Sequence, residues 1–86
     1  MHAAQMRAFI NSRLAEHVKT QASRECQFTI EEFVVWQNAN FTDKIEEIST
    51  DALKVVREYF KDYSIAGTDG DELWEASSDD AISISW

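Results

Sequence analysis

The stretch GDELWEASSDDAISISW, Gly70 to Trp86, holds five carboxylates, two tryptophans and no base. A disordered acidic tail has no use for Trp74, Ile82, Ile84 and Trp86 at alternate positions, whereas a strand with one buried face requires that pattern. Just before it, Asp69-Gly70 is a strong signal for a two-residue hairpin turn. A turn there sets Ile65 opposite Trp74 and Tyr63 opposite Ala76. For the next reversal, a two-residue loop at Asp79-Asp80 would set Ile82 against Ser77 and turn the last apolar residues to the wrong side. A three-residue loop, Ser78-Asp79-Asp80, sets Ala76 against Ile82, Trp74 against Ile84 and Glu72 against Trp86. Aspartate tolerates the left-handed backbone that such a loop needs.

The expectation is therefore a three-stranded antiparallel meander over about 63–67, 72–77 and 81–86. Tyr63, Ile65, Trp74, Ala76, Ile82, Ile84 and Trp86 share its apolar face, and Ser64, Ala66, Glu75, Ser83 and Ser85 face the other way. Leu73 is the one apolar residue left on the wet side. A sheet with a single apolar face must be covered, and the preceding residues supply helices to cover it, which makes the fold class α+β.

Upstream, Met6, Phe9, Ile10, Leu14 and Val18 recur at three and four, so a helix is expected over about 3–22, with His17 at the border of its stripe. In FTIEEFVVWQNAN, Thr29 and Glu32 have capping-box spacing, and Phe28 is placed to staple onto Phe33, which predicts a helix over about 30–38. Phe28, Ile30, Val34 and Trp36 also share a strand's parity, so a strand is the alternative. Either way the segment is apolar nearly all round and should be central. From Thr42 onward, Ile45, Ile48, Ala52, Val55 and Tyr59 predict helix over about 43–62, with Ser49-Thr50-Asp51 as a second cap that divides it at about Ile48.

The whole is 86 residues, the size of one small domain, with 44% hydrophobic residues as material for a core. Its net charge of −8 is unevenly placed. Arg7, Arg13, Lys19 and Arg24 outnumber Glu16 and Glu25 in the first 26 residues, while 14 acids face Lys44, Lys54, Arg57 and Lys61 in the rest. Seven acids follow from Asp62 onward with no base, which opposes nucleic acid or an anionic membrane as partner and favours a basic protein. The lone Cys26 permits no internal disulfide and fits a reducing cytoplasm. No apolar run is long enough for a signal peptide or a membrane span.

Chemistry has few candidates. Cys26 and His17 lack an orienting third group, and a lone cysteine is more often a small apolar filler, so no catalytic residue is assigned. The adjacent pairs Glu31-Glu32, Glu46-Glu47 and Asp79-Asp80 have no cleft assigned to them. The DGDE run from Asp69 echoes a calcium loop without its remaining ligands, so neither a metal nor a cofactor is expected. In general character the chain resembles the small, acidic, cysteine-poor domains that phages and mobile elements encode to block host enzymes, anti-restriction and anti-CRISPR proteins among them. That resemblance implies a noncatalytic inhibitor acting in the host cytoplasm. It would bind a basic, nucleic-acid-handling surface of a nuclease or CRISPR effector, as a DNA mimic, through Asp69, Asp71, Glu72, Glu75, Asp79 and Asp80. An immunity protein or antitoxin suits the composition equally. A third reading is an assembly subunit that pairs as a homodimer along an open edge strand, Ala81 to Trp86. Against all three stands ordinary turn chemistry at the six acids.

Overall fold

A computed structural model describes residues 2–86. Three helices, α1 (Ala3–Thr20), α2 (Ile30–Asn40) and α3 (Thr50–Tyr59), cover one face of a three-stranded antiparallel sheet made of β1 (Glu25–Phe28), β2 (Ser64–Ala66) and β3 (Ile82–Ser85). The class is the expected α+β. The order of strands is β1-β3-β2, which is not a meander.

α1 lies against α2, α3 and β1 and contributes Ala3, Met6, Phe9, Ile10 and Leu14 to the core. His17 takes the next buried place on that face, and Val18, expected there, is 64% exposed. α2 begins where the cap residues placed it: Thr29 Oγ1 accepts from the Glu32 amide at 3.0 Å. Phe28 and Phe33 meet across Phe9, whose ring stands 6.0 Å from one and 5.7 Å from the other. The segment is a helix from Ile30, with Phe33 and Gln37 fully buried, but it is not enclosed all round, because Val35 points into solvent.

Residues 43–49 are not helical. Two side chains from the end of α2 tie up this backbone. Asn38 donates to the Ile45 carbonyl and accepts from the Ile45 amide, both at 2.8 Å, and Gln37 Nε2 donates to Asp43 O at 3.0 Å. Helix resumes only at Thr50, where Ser49 Oγ accepts from the Ala52 amide at 3.2 Å, and Arg57 closes the end of α3 by donating to Phe60 O. Ser49→Ala should therefore cost about 1 kcal/mol in urea denaturation. Thr42→Ala, at the cap the structure does not use, should stay within about 0.5 kcal/mol of the parent. Ala52, Leu53, Val56 and Phe60 form the buried face of α3.

The turn at Asp69-Gly70 is formed, with Asp69 at φ 63° and Gly70 at φ 79°, left-handed conformations that suit aspartate and glycine. Beyond it the expected strand 72–77 is absent. Glu72 and Glu75 cap each other's backbone amides around a single 3-10 turn, Leu73–Glu75, and this drives Leu73 into complete burial beneath α3. β2 and β3, the first and last strands of the expected meander, then pair directly, Ile65 with Ile84. Inward and outward residues of β2 and β3 keep their expected sides: Ile65, Ile82 and Ile84 are buried, while Ser64 and Ala66 are exposed and Ser83 and Ser85 half-exposed.

The second neighbour of β3 is β1, a strand too short to stand out in the sequence. Cys26 pairs with Ile84 and Phe28 with Ile82, and both point into the core. Hence Ala81 to Trp86 is not an open edge, and the homodimer expected along it has lost its template. The two actual edges are blunted. Trp86 N donates to Arg24 O, so ladder alternation turns the carbonyls of Ser23 and Gln27 outward, where His17 Nε2 lies 2.9 Å from the first and Arg13 Nη2 donates to the second at 2.9 Å. On the other side β2 is three residues long, and the Gly67 amide that follows it is taken by Asp71 O at 2.7 Å. No helix among the described residues is long and apolar enough to cross a membrane.

Candidate functional site

The six acids singled out from the sequence fall in the loops between β2 and β3, and three of them commit a carboxylate locally. Glu72 and Glu75 turn their carboxylates onto the backbone of their own 3-10 turn. Asp80 Oδ2 accepts from the Ser77 amide at 3.0 Å. Asp69 occupies the left-handed position of its turn, and Asp71 lends its carbonyl to Gly67. Only Asp79 reaches a groove.

That groove, of ≈ 690 Å³, is assembled from three distant segments. α2 contributes Ile30, Glu31, Val34 and Val35, the 46–53 segment contributes Glu46, Glu47, Ile48, Thr50 and Leu53, and the loop before β3 contributes Trp74, Ala76, Ser78 and Asp79. Its walls mix apolar side chains with polar ones. Around them stand four exposed carboxylates, Glu31, Glu46, Glu47 and Asp79, and no lysine or arginine is among the lining residues. A hydrogen bond fixes the junction: the Glu31 amide, an otherwise unpartnered donor in the first turn of α2, donates to Ser78 O at 2.9 Å. Like charges lining one groove reinforce one another's field, so a cation entering it is favoured by all four.

Trp74 was expected to face inward from a strand. It is half-buried instead, with Lys54 Nζ from α3 at 5.9 Å from its ring centroid. This sets a cation from α3 against the one aromatic side chain in the run 69–80, which has no base in sequence. Glu31, Glu46, Glu47, Val35 and Trp74 were not among the expected contact residues. The pairs Glu31-Glu32 and Glu46-Glu47 were visible in sequence as carboxylates without a cleft, and the fold supplies the cleft to one pair and half of the other. Glu32 instead forms an ion pair with Arg13 at 2.7 Å.

Two other depressions are of similar size. One, of ≈ 600 Å³, runs between α1 and α2 beside Phe9, Trp36 and Ala39, and shares Glu31 and Val35 with the acidic groove, so Val35 is the ridge between them. The other, of ≈ 580 Å³, lies along β1 and contains both Cys26 and His17. There His17 Nε2 is bonded to Ser23, 2.9 Å from its carbonyl, which can only accept, so this nitrogen carries the proton. The Cys26 sulfur faces the carbonyls of Arg13 and Gln27 at 4.0 and 3.9 Å. Among the described residues no three His, Cys, Asp or Glu side chains converge on a point where a metal ion could sit.

Comparison of the chain with family models, with curated proteins and with solved structures gave no match in any of the three.

Proposed function

We propose that this domain is a noncatalytic inhibitor that occupies a basic, nucleic-acid-handling surface of another protein, of the kind that phages and mobile elements direct against host nucleases and CRISPR effectors. The observation that carries the reading is the groove lined by four carboxylates and by apolar side chains, with no base among the lining residues. Its exposed acids attract and orient a cationic surface, and its apolar side chains supply contact that charge alone does not. The bases of the N-terminal 26 residues lie on α1 and the segment after it, away from the lining of this groove. A faithful copy of duplex DNA, with about one charge per 1.7 Å of axis, would need an unbroken row of carboxylates. Lys54 beside Trp74 breaks such a row, so the reading rests on the groove rather than on a phosphate-like ladder. A target of this kind lies in the host cytoplasm, where a single reduced cysteine is at home.

The test is affinity for a nuclease or CRISPR effector as a function of salt. Kd should rise about tenfold or more between about 50 and 200 mM NaCl. Reversing Glu46 and Glu47 together to lysine should cost about 2 kcal/mol or more of binding, with the circular dichroism spectrum unchanged, since both side chains are exposed. Tight binding indifferent to salt and to this reversal would contradict the reading.

A further inference from the structure

We infer that the acidic groove seats an arginine carried on an apolar-flanked segment of the partner protein, with Val35 as the ridge against which the flanking apolar residue packs. The inference rests on the binding reading above and names the chemistry of its occupant. Three features point to this guest. The first is charge: Glu31, Glu46, Glu47 and Asp79 line the groove with no lysine or arginine among its lining residues, and a guanidinium can bond two carboxylates at once. The second is the wall. Trp74 presents an aromatic surface beside the carboxylates, and within this protein that ring already holds a cation, Lys54 Nζ, at 5.9 Å. A guanidinium is flat and weakly hydrated, so it stacks on such a ring at less cost than an ammonium does. The third is Val35, 64% exposed on an ordered helix and shared by the two depressions on either side of it. A purely electrostatic surface has no need of that side chain, whereas an apolar residue next to the arginine covers it.

The probe is a short acetylated and amidated peptide of alternating leucine and arginine, titrated into the ¹⁵N-labelled chain. Two control peptides carry serine for every leucine or glutamate for every arginine. The leucine–arginine peptide should shift the amides of Val34, Ile48 and Ser78 and the indole of Trp74. The serine control should bind about tenfold more weakly and the glutamate control should produce no shifts. Val35→Ser, an exposed helix substitution between residues of similar propensity, should weaken the peptide by about tenfold, and Glu46→Gln with Glu47→Gln by a similar factor. Equal affinity for the serine control, shifts confined to 69–75, or no shifts at millimolar peptide would each overturn the inference. Its failure is separable from that of the inhibitor reading. If a nuclease or effector complex survives Val35→Ser and the Glu46/Glu47 neutralisation but is lost on reversing Asp69 and Asp71 to lysine, the groove is overturned and the inhibitor stands. If none of these changes alters the complex, both are overturned.

Discussion

Leu73→Ala is expected to destabilise the domain by about 2–5 kcal/mol, seen as a lower urea midpoint with an unchanged slope. Leu73 is completely buried although it sits in a one-turn 3-10 segment between two loops, because the reciprocal Glu72 and Glu75 caps close the turn and α3 covers the side chain. Truncation leaves a cavity between α3 and that turn, which cannot collapse without breaking the caps. The experiment separates two architectures sharply. In a meander with a strand over 72–77, Leu73 would stand on the wet face, where such a substitution changes stability by no more than about 0.5 kcal/mol. A small value would therefore restore the hairpin and remove Trp74 from the groove.

Phe28→Ala should be at least as damaging, about 3–5 kcal/mol. Phe28 is 1% exposed, meets Phe9 edge to face at an interplanar angle of 82°, and lies opposite Ile82 in the ladder. Its loss removes the larger of the two inward residues of β1 and one wall of the contact between α1 and the sheet. For a domain of this size each kcal/mol corresponds to about 4–8 °C in Tm, so a fall of about 12 °C or more is expected in a thermal melt. A fall of about 2 °C or less would mean that residues 25–28 do not form part of the sheet. A domain of ordinary stability, about 5–15 kcal/mol, has little margin for either change.

What was legible in the sequence is what local chemistry decides. The caps Thr29 and Ser49 begin helices where they should, the Asp69-Gly70 turn forms, and the alternation in Ile65, Ile82 and Ile84 marks the buried face of the sheet. The failures came where a distant partner overrides a local pattern. Residues 43–48 have helical spacing, yet Asn38 and Gln37, at the end of the previous helix, bond their backbone at Ile45 and Asp43 and the segment is not helical. Residues 25–28 offer only Cys26 and Phe28 as alternation, too short a signal until β3 is there to pair with. In 72–77 the warning was Leu73 itself, the one residue the hairpin register left on the wrong side, together with an acid three residues after Glu72 able to cap a turn.

The candidate site follows the same division. Acidic residues could be counted from the sequence, but a groove built from residues 30–35, 46–53 and 74–79 exists only once those segments are brought together. Of the six acids expected to make contact, three spend a carboxylate on their own loop, and only Asp79 lines the groove. The acids that join it, Glu31, Glu46 and Glu47, had been visible only as neighbours along the chain.

Native-state hydrogen exchange read residue by residue by NMR tests the whole arrangement at once. With β3 central, its amides alternate between two bonded neighbours: those of Ile82 and Ile84 toward β1, and those of Ser83 and Ser85 toward β2, so all four should be protected. The Glu31 amide should be protected with them through Ser78 O, although it lies in the first turn of a helix. Protection at alternate residues of 82–85, together with free exchange at Glu31, would return the last strand to the edge of the sheet and dissolve the groove on which the proposed binding depends.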